Sequence, residues 1–248
     1  MNSNVGATHK EKNIYLWLTK FTNRNKKPEK TFCGTESRSL RTPSTDTTKH
    51  IATMNHPIRF TTPEEAVKVI KSGDHVHLSS VASVPQILVR AMTARGEAGE
   101  LQHVHIHHLH TEGEALYAVP EMEGIFQLDS FFVGGNVRNI TQQGFADYIP
   151  VFLSETQRLY RDGILPCNVA MIQVSTPDRH GYVSLGTSVD ATLAAVECAD
   201  TVIAVVNRHV PRSFGDSFIH TSQIDSSSRT TRRSSRSTSP NRTTWSAP

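Results

Sequence analysis

Residues 129–150, DSFFVGGNVRNITQQGFADYIP, and residues 174–196, VSTPDRHGYVSLGTSVDATLAAV, are the two stretches that decide the fold. Each has the pattern of an apolar strand that breaks into a glycine-containing loop and then opens a helix. This order of elements leaves backbone N–H groups free to face an anionic or polar ligand. The two stretches therefore predict ligand-facing loops, for which the rest of the chain is scaffolding or tail.

In the first stretch the predicted strand is residues 130–133, SFFV, and the loop begins with Gly134 and Gly135. Adjacent glycines permit positive φ and close backbone approach, and Asn136 is a good N-cap for the helix that follows. Arg138 would lie in the first helical turn, where the helix dipole disfavours a cation. It is therefore placed to meet a carboxylate or phosphate, with a surface salt bridge as the alternative.

Charge is distributed unevenly along the 248 residues, whose formal net charge is +3. Residues 1–54 hold 10 Lys+Arg against 4 Asp+Glu, and residues 226–248 hold 5 Arg and no acid. The remaining 11 basic and 19 acidic residues give residues 55–225 a formal charge of −8. Phosphate contacts require a basic face on the folded domain, so the composition argues against nucleic-acid binding except through the tail.

The N-terminal segment, residues 1–54, is basic and hydroxyl-rich, with one short apolar island around Trp17. So little apolar surface cannot offset the entropy of ordering, and we expect a disordered extension. A mitochondrial transit peptide is one interpretation, although the four acidic residues argue against it. Translation from Met54 is another. The expected location is accordingly mitochondrial or cytoplasmic.

The C-terminal tail, residues 226–248, contains 8 Ser, 5 Thr and 5 Arg and no Leu, Ile, Val or Phe. We expect it to be disordered and to contribute no strand or helix to the core. RNA binding or phosphorylation would be its functional interpretation, and a shifted reading frame after Asp225 is the other alternative. The folded domain is thus predicted to be residues 55–225.

Three cysteines, Cys33, Cys167 and Cys198, are odd in number and widely spaced. They fit neither a disulfide framework nor a zinc pattern, so a reducing compartment is expected. No apolar run is as long as a membrane span, and the N-terminus lacks the apolar region of a secretory signal. No membrane association is predicted.

Between the tails, strand and helix signals alternate in units of roughly 25–30 residues. The apolar runs 169–174 and 201–206 are typical of strands buried on both faces. This alternation predicts an α/β domain: an open, mostly parallel, doubly wound sheet with helices on both faces. Further strands are predicted at residues 74–78, 101–109, 148–152 and 183–186, and helices after Thr62, Val84, Asn136, Ser154 and Ser188.

The predicted strand at residues 101–109, LQHVHIHHL, carries His103, His105 and His107 at alternating positions. Such spacing can build a metal site on one strand face. No Cys or carboxylate lies beside these histidines at ligand spacing, so we interpret the segment as a half-buried strand and predict no metal site. Residues 111–113, at its C-terminal end, are better placed for a ligand, because open parallel sheets bind ligands beyond the carboxyl ends of their strands.

Five motifs follow one another along the chain: LHTEG (109–113), SFFVGGNVR (130–138), ADYIPVFLSE (146–155), PDRHGYVSLG (177–186) within the stretch 169–186, and GDSFIH (215–220). In this order they resemble the N-terminal half of the acetyl-CoA hydrolase/transferase family, with 4-hydroxybutyrate CoA-transferases most similar. The resemblance covers about residues 58–225.

The resemblance implies transfer of CoA between an acyl-CoA and a short-chain carboxylate such as acetate or 4-hydroxybutyrate. In the family a glutamate attacks the acyl-CoA, giving an acyl-glutamyl anhydride and then a glutamyl-CoA thioester. That glutamate lies in a C-terminal domain, and neither Glu112 nor Glu155 matches its motif. We therefore assign no catalytic residue and expect little or no turnover from this chain alone. Attack by water would give acyl-CoA hydrolysis, the nearest enzymatic alternative.

The same resemblance implies that the matched half lines the pocket for CoA and the acid. Residues 79–83, SSVAS, depart from the glycine-rich loop that relatives tend to carry there. The structural alternative for Gly134 and Gly135 is a tight turn, and the structural alternative for His180 is an exposed position in a loop. The expected first wall comprises Gly134, Gly135, Asn136 and Arg138, and the second comprises His180, Gly181, Ser184, Leu185 and Gly186.

CoA thioesters are expected as substrates, and no cofactor is expected to be bound permanently. The expected partners are small molecules, with a homo-oligomer as one expected assembly. A rival interpretation from another class is a non-catalytic binding protein that acts through its Arg/Ser-rich tail.

Overall fold

The computed structural model describes residues 59–230. The predictions for residues 1–54 and for residues 231–248 of the tail lie outside the described residues.

Seven parallel strands form the main sheet, and two short strands form a separate antiparallel pair. The main sheet contains β1 His75–Leu78, β2 Val104–His108, β3 Phe126–Ser130, β4 Ala146–Tyr148, β5 Val169–Val174, β7 Thr201–Asn207 and β9 Ser226–Thr230, and the pair is β6 Tyr182–Ser184 and β8 Phe218–His220. The spatial order of the main sheet is β4-β3-β2-β1-β5-β7-β9. The chain winds outward in both directions from β1 and β5, which confirms the doubly wound prediction.

Helices cover both faces of the sheet, as predicted. The α-helices are α1 Pro63–Ala66, α2 Gln86–Glu97, α3 Arg138–Gln143, α4 Thr156–Arg161 and α5 Thr192–Cys198, and 3-10 helices occur at Val67–Val69, Pro120–Met122, Leu153–Glu155 and Thr221–Gln223. Buried residues of α1 and α2 pack in one core, and buried residues of α4 and α5 pack in a second. No helix within residues 59–230 is long and apolar enough to cross a membrane.

Strand β5 shows how the sheet separates the two cores. Val169 and Met171 belong to the first core, whereas Ala170 and Ile172 belong to the second. Side chains alternate between faces along a strand, so a strand covered on both sides must be apolar throughout. All six residues of β5 are buried, which confirms the prediction for this run.

The start of the domain follows the predicted capping chemistry. The Thr62 Oγ1 accepts a hydrogen bond from the Glu65 N–H at 3.2 Å, and Pro63 occupies the first helical position. The α-helix is shorter than predicted, because the chain tightens into a 3-10 turn at Val67–Val69 before Gly73, with a φ of 83°, turns it into β1.

Two strand predictions are displaced toward the C-terminus. The strand predicted at residues 130–133 is β3, which ends at Ser130, and the strand predicted at residues 148–152 is β4, which ends at Tyr148. In both cases the continuous apolar run lies beyond the sheet: Phe132 is 56% exposed and Phe152 is 78% exposed. The true β3 instead alternates apolar and polar residues, which is the signal of a strand with one apolar face.

The prediction that the tail forms no strand from residue 226 onward is wrong for Ser226–Thr230. This segment is β9, which pairs in parallel with β7 from Ile203↔Ser226 to Asn207↔Thr230. Ser227 N–H donates to the Arg59 carbonyl at 3.0 Å, and Ser228 Oγ donates to the Thr61 carbonyl at 2.9 Å. Both serines are buried, because their small hydroxyls bond to a neighbouring backbone. The domain therefore extends at least to Thr230.

Candidate functional site

The carboxyl ends of β1, β2 and β3 open into three adjacent loops, which form the candidate site. In open parallel sheets this edge is where ligands bind, and the reversal of strand order between β1 and β5 leaves a crevice there. The loops are joined to one another by hydrogen bonds. The Val81 N–H, for example, donates to the His110 carbonyl at 2.6 Å, which links the first loop to the second.

Gly134 is required where the β3 loop approaches the β2 loop. A Cβ atom at this position would lie 2.5 Å from Nδ1 of His110, closer than atoms can approach. A Cβ on Gly135 would meet nothing within 4 Å. Neither glycine has a positive φ. The close approach to His110, and not the backbone conformation, therefore explains why residue 134 is a glycine.

Asn136 does not cap the following helix as predicted. Helix α3 begins at Arg138 and receives no side-chain cap. The Asn136 Nδ2 group instead donates to Thr111 Oγ1 at 3.2 Å and to the Gly113 carbonyl at 3.3 Å. The amide therefore connects the loop after β3 to the loop after β2. The second loop contains residues 111–113, which the sequence predicts to lie beyond the carboxyl end of a strand.

Arg138 is exposed at the start of α3, beside the glycine loop. Its guanidinium group makes no hydrogen bond or ion pair with another residue of the range 59–230. An exposed guanidinium at the carboxyl edge of the sheet is available to an anionic ligand. Its assignment to a carboxylate stays a prediction.

The loop after β1 is a part of the site that sequence reasoning did not assign. The Ser80 N–H donates to Ser188 Oγ at 2.8 Å, and Ser188 Oγ donates to Asp190 Oδ2 at 2.8 Å. Ser79 is buried and its Oγ has no hydrogen-bond partner within residues 59–230. The hydroxyl-rich sequence SSVAS was the available signal, because serine runs between a strand and a helix commonly bond to backbone groups.

Asp190 completes this polar link between the β1 loop and α5. Its Oδ1 accepts hydrogen bonds from the Thr192 N–H and Oγ1, both at 3.2 Å, and from Ser80 Oγ at 3.4 Å. The carboxylate therefore holds the beginning of α5 against the end of β1. This link lies at the point where the strand order reverses.

The predicted second wall divides into an exposed turn and a buried strand. His180 is exposed, and its N–H donates to Asp178 Oδ1 at 2.9 Å. Hydrogen bonds from the backbone of Tyr182 and His180 lower the pKa of the Asp178 carboxyl. Gly181 has a φ of 80° and lies against His220.

The remaining second-wall residues, Ser184, Leu185 and Gly186, are buried inside the domain. Leu185 belongs to the second core. Ser184 Oγ accepts hydrogen bonds from the Gly186 N–H at 3.1 Å and from the Ser213 N–H at 3.2 Å. These contacts give the three residues a structural role within residues 59–230.

The two predicted walls are not in direct contact. The glycine loop follows β3 and the His180 turn follows β5, with β2 and β1 between them. At a strand spacing of about 4.8 Å, these strands are about 14 Å apart. The loop after β1 occupies the interval, so a ligand that spans both walls must cross it.

Two buried histidines support the strand ends beneath this edge. Burial, reinforced by His107 and His108, lowers the pKa of His77 to about 3, and the ring contacts Tyr160 OH at 3.0 Å. Burial, reinforced by His110 and His107, lowers the pKa of His108 to about 3. Both rings are neutral near pH 7, so they serve as hydrogen-bonding core residues.

The alternating histidines of β2 do not form one cluster. His103 lies before the strand, is exposed and has a φ of 54°. His105 and His107 lie on one face of the sheet together with His75 of β1 and Asp129 of β3. His105 Nδ1 lies 2.8 Å from Asp129 Oδ2, and His107 Nε2 lies 3.5 Å from the same oxygen.

This histidine and aspartate cluster shifts the pKa of its members. Burial would raise the pKa of Asp129, but hydrogen bonds from His105 and His107 outweigh it and lower that pKa to about 2. The hydrogen bond to Asp129 raises the pKa of His105. Burial, together with the charges of His107 and His105, lowers the pKa of His75 to about 4.

Comparison with known proteins identifies relatives for most of the described domain. Residues 45–231 match the family described as acetyl-CoA hydrolase/transferase N-terminal domain. The succinyl-CoA:acetate/propanoyl-CoA:succinate CoA transferase of Fasciola hepatica is 38% identical over 161 residues, which are 65% of this chain and 33% of that protein. The 4-hydroxybutyrate coenzyme A transferase of Clostridium kluyveri is 39% identical over 167 residues, 67% of this chain and 38% of that protein.

A solved structure shares the fold. The crystal structure of RipA from Yersinia pestis has a TM-score of 0.66 and 28% sequence identity, covering 71% of this chain and 43% of that one. The chain therefore covers less than half the length of each of these three proteins.

Proposed function

Because this chain belongs to the acetyl-CoA hydrolase/transferase family, we propose that it forms the N-terminal, substrate-lining half of a CoA-transferase. The proposed reaction moves CoA between an acyl-CoA and a short-chain carboxylate such as acetate or 4-hydroxybutyrate. Two relatives support this substrate class, since their names specify transfer of CoA involving acetate and 4-hydroxybutyrate respectively.

The observation that carries the proposal is the linked set of loops at the carboxyl edge of β1–β3. The close approach of Gly134 to His110 and the bridge from Asn136 to Thr111 hold two loops together at the edge where such sheets bind ligands. Arg138 adds an exposed cation beside them. We propose that the loops bind the acyl and CoA groups and that Arg138 attracts a carboxylate or phosphate.

The proposal assigns no nucleophile to residues 59–230. Covalent acyl transfer requires an activated group that is free to attack. Glu112 lies at the edge, but its Oε1 is hydrogen-bonded to His110 Nε2 at 3.1 Å. We therefore place the glutamate that carries the proposed glutamyl-CoA intermediate in the part of the relatives that this chain does not match.

Exposed apolar side chains at and beyond the carboxyl ends of β3 and β4 support a covering partner for this part of the domain. Phe132, Tyr148, Phe152 and Leu153 are all more than half exposed. A group of large apolar side chains exposed together marks an interaction surface more often than a monomer surface. A second domain packed there would complete the pocket and exclude water from it.

Acetate-dependent CoA exchange, measured with the purified 248-residue chain, tests whether the nucleophile lies outside this chain. We expect little or no exchange, because the proposal places the nucleophile elsewhere. Robust exchange by this chain alone would contradict that placement. Release of free CoA without dependence on acetate would instead support the hydrolase alternative.

A further inference from the structure

We infer that His75, His105 and Asp129 form a binding site for a divalent transition metal such as Zn²⁺ or Co²⁺. One ligand atom from each residue lies within 4.8 Å of the others. The three side chains come from three adjacent strands, β1, β2 and β3, and share one face of the sheet. A metal bound there would join the three strands along the direction of their backbone hydrogen bonds.

The donor atoms are spaced as a small coordination sphere requires. His105 Nδ1 and Asp129 Oδ2 are 2.8 Å apart, and the His75 and His105 rings stack with centroids 4.4 Å apart and planes at 12°. Tetrahedral zinc holds nitrogen and oxygen ligands at about 2.0–2.2 Å, which places neighbouring donors about 3.4 Å apart. Small rotations about the side-chain bonds bring the three donors to that spacing.

The surroundings permit both entry and selectivity. The His105 side chain is 36% exposed and the Asp129 side chain is 13% exposed, so solvent reaches the site from one flank and water completes the coordination. On the buried flank, His107 Nε2 lies 3.0 Å from His75 Nδ1. Two imidazoles and one carboxylate suit zinc, cobalt and nickel better than magnesium or calcium, which prefer oxygen ligands alone.

Two of the three ligands lie away from the proposed CoA pocket. His75 is the first residue of β1 and His105 the second residue of β2, so both lie toward the amino ends of their strands, whereas Asp129 lies one residue before the carboxyl end of β3. The pocket lies at the carboxyl ends. The prediction of no metal site considered only the histidines of one strand, and the chain separates the actual ligands by 30 and 24 residues.

Titration of the metal-free, full 248-residue chain with Co²⁺ alone tests the inference, followed by displacement with Zn²⁺. We expect one equivalent of Co²⁺ to give the intense visible absorption of a tetrahedral or five-coordinate ion, and Zn²⁺ to abolish it. The His105→Gln variant should lose at least about ten-fold in affinity, in line with loss of one ligand. The matched control, His103→Gln, removes an exposed histidine two residues away and should bind as the wild type does.

His105 is partly exposed, so its variant is expected to fold, and far-ultraviolet circular dichroism checks this. The wild-type titration decides the question by itself if the variant does not fold. Absence of a saturable one-to-one Co²⁺ signal in the wild type would overturn the inference. Equal affinity in the folded His105→Gln variant, or an equal loss in His103→Gln, would assign the metal to other histidines and overturn it as well.

Discussion

The side-chain amide of Asn136 donates a hydrogen bond to the hydroxyl of Thr111 at 3.2 Å, although 25 residues separate them in the chain. This contact joins the loop after β3 to the loop after β2. The same two loops meet where Gly134 lies against His110. The candidate pocket therefore depends on contacts between loops, and each contact can be tested separately.

Asn136→Ala should lower the free energy of unfolding by about 0.5–1.5 kcal/mol, because it removes the hydrogen bonds to Thr111 and Gly113. Asn139→Ala is the matched control, since Asn139 is an exposed residue of α3 and alanine favours a helix. Urea denaturation measures both variants. Equal effects of the two substitutions would show that the bridge contributes nothing.

Gly134→Ala should destabilise the domain by about 1–3 kcal/mol, because the new methyl group overlaps the His110 ring. That ring is held by Glu112 and packs edge-to-face with Phe132, so it cannot move freely. Gly135→Ala has open space and should be neutral within about 0.5 kcal/mol. Thermal unfolding of the two variants compares the sites directly, and a neutral Gly134→Ala would refute the close approach.

Ending the chain after Asp225 should destabilise the fold, because it removes β9 and exposes the edge of β7. The loss of several backbone hydrogen bonds at about 0.5–1.5 kcal/mol each predicts a decrease of about 2–5 kcal/mol. A chain ending after Thr230 retains the strand and serves as the control. If both truncated chains unfold at the same urea concentration, β9 does not contribute to stability.

Acidification should destabilise the domain below about pH 6.5. The pKa values of His77 and His108 are about 3 in the folded chain, below the usual value of about 6.5. The unfolded chain therefore binds more protons between these values, and stability falls as the pH falls, by at most about 1.4 kcal/mol per pH unit for each histidine. His105 opposes this trend, because its raised pKa stabilises the fold below the usual value and loses that contribution as the pH rises.

Urea denaturation at pH 7.5, 6.5 and 5.5 measures this dependence. His108→Gln should reduce the dependence of the free energy of unfolding on pH. It removes one histidine that stays neutral in the folded chain and takes up a proton on unfolding. His103→Gln, which replaces an exposed histidine, is measured beside it for comparison. A midpoint that is constant or increases on acidification would contradict the buried, neutral state of these histidines.

The apolar and the alternating strands of the sheet could be predicted from the sequence, whereas the polar strand β9 could not. A run such as residues 169–174 predicts a central strand, since a continuous apolar stretch must be covered on both faces. Strand β9, SSSRT, has no apolar residue and lies against β7, residues 59–61 and helix α1. The composition of a segment does not indicate which distant segments it will pair with.

The same limit applies to the candidate sites. The sequence located the glycine loop and residues 111–113 beyond the ends of their strands, because each directly follows its own strand, and their role in binding stays a prediction. The role of Asn136 was not predicted, because its partners are distant in sequence. Asp129 was likewise not connected with His75 and His105, since only the parallel pairing of three strands brings them together.

The most direct test of the central claim replaces the matched segment of the Clostridium kluyveri 4-hydroxybutyrate coenzyme A transferase with residues 59–230 of this chain. Acetate-dependent transfer of CoA is then measured beside the parent enzyme. We predict that a folded hybrid transfers CoA, because the domain supplies the substrate-lining loops and the enzyme supplies the rest of the chain. A hybrid that folds and assembles like the parent but shows no acetate-dependent transfer would contradict the assignment.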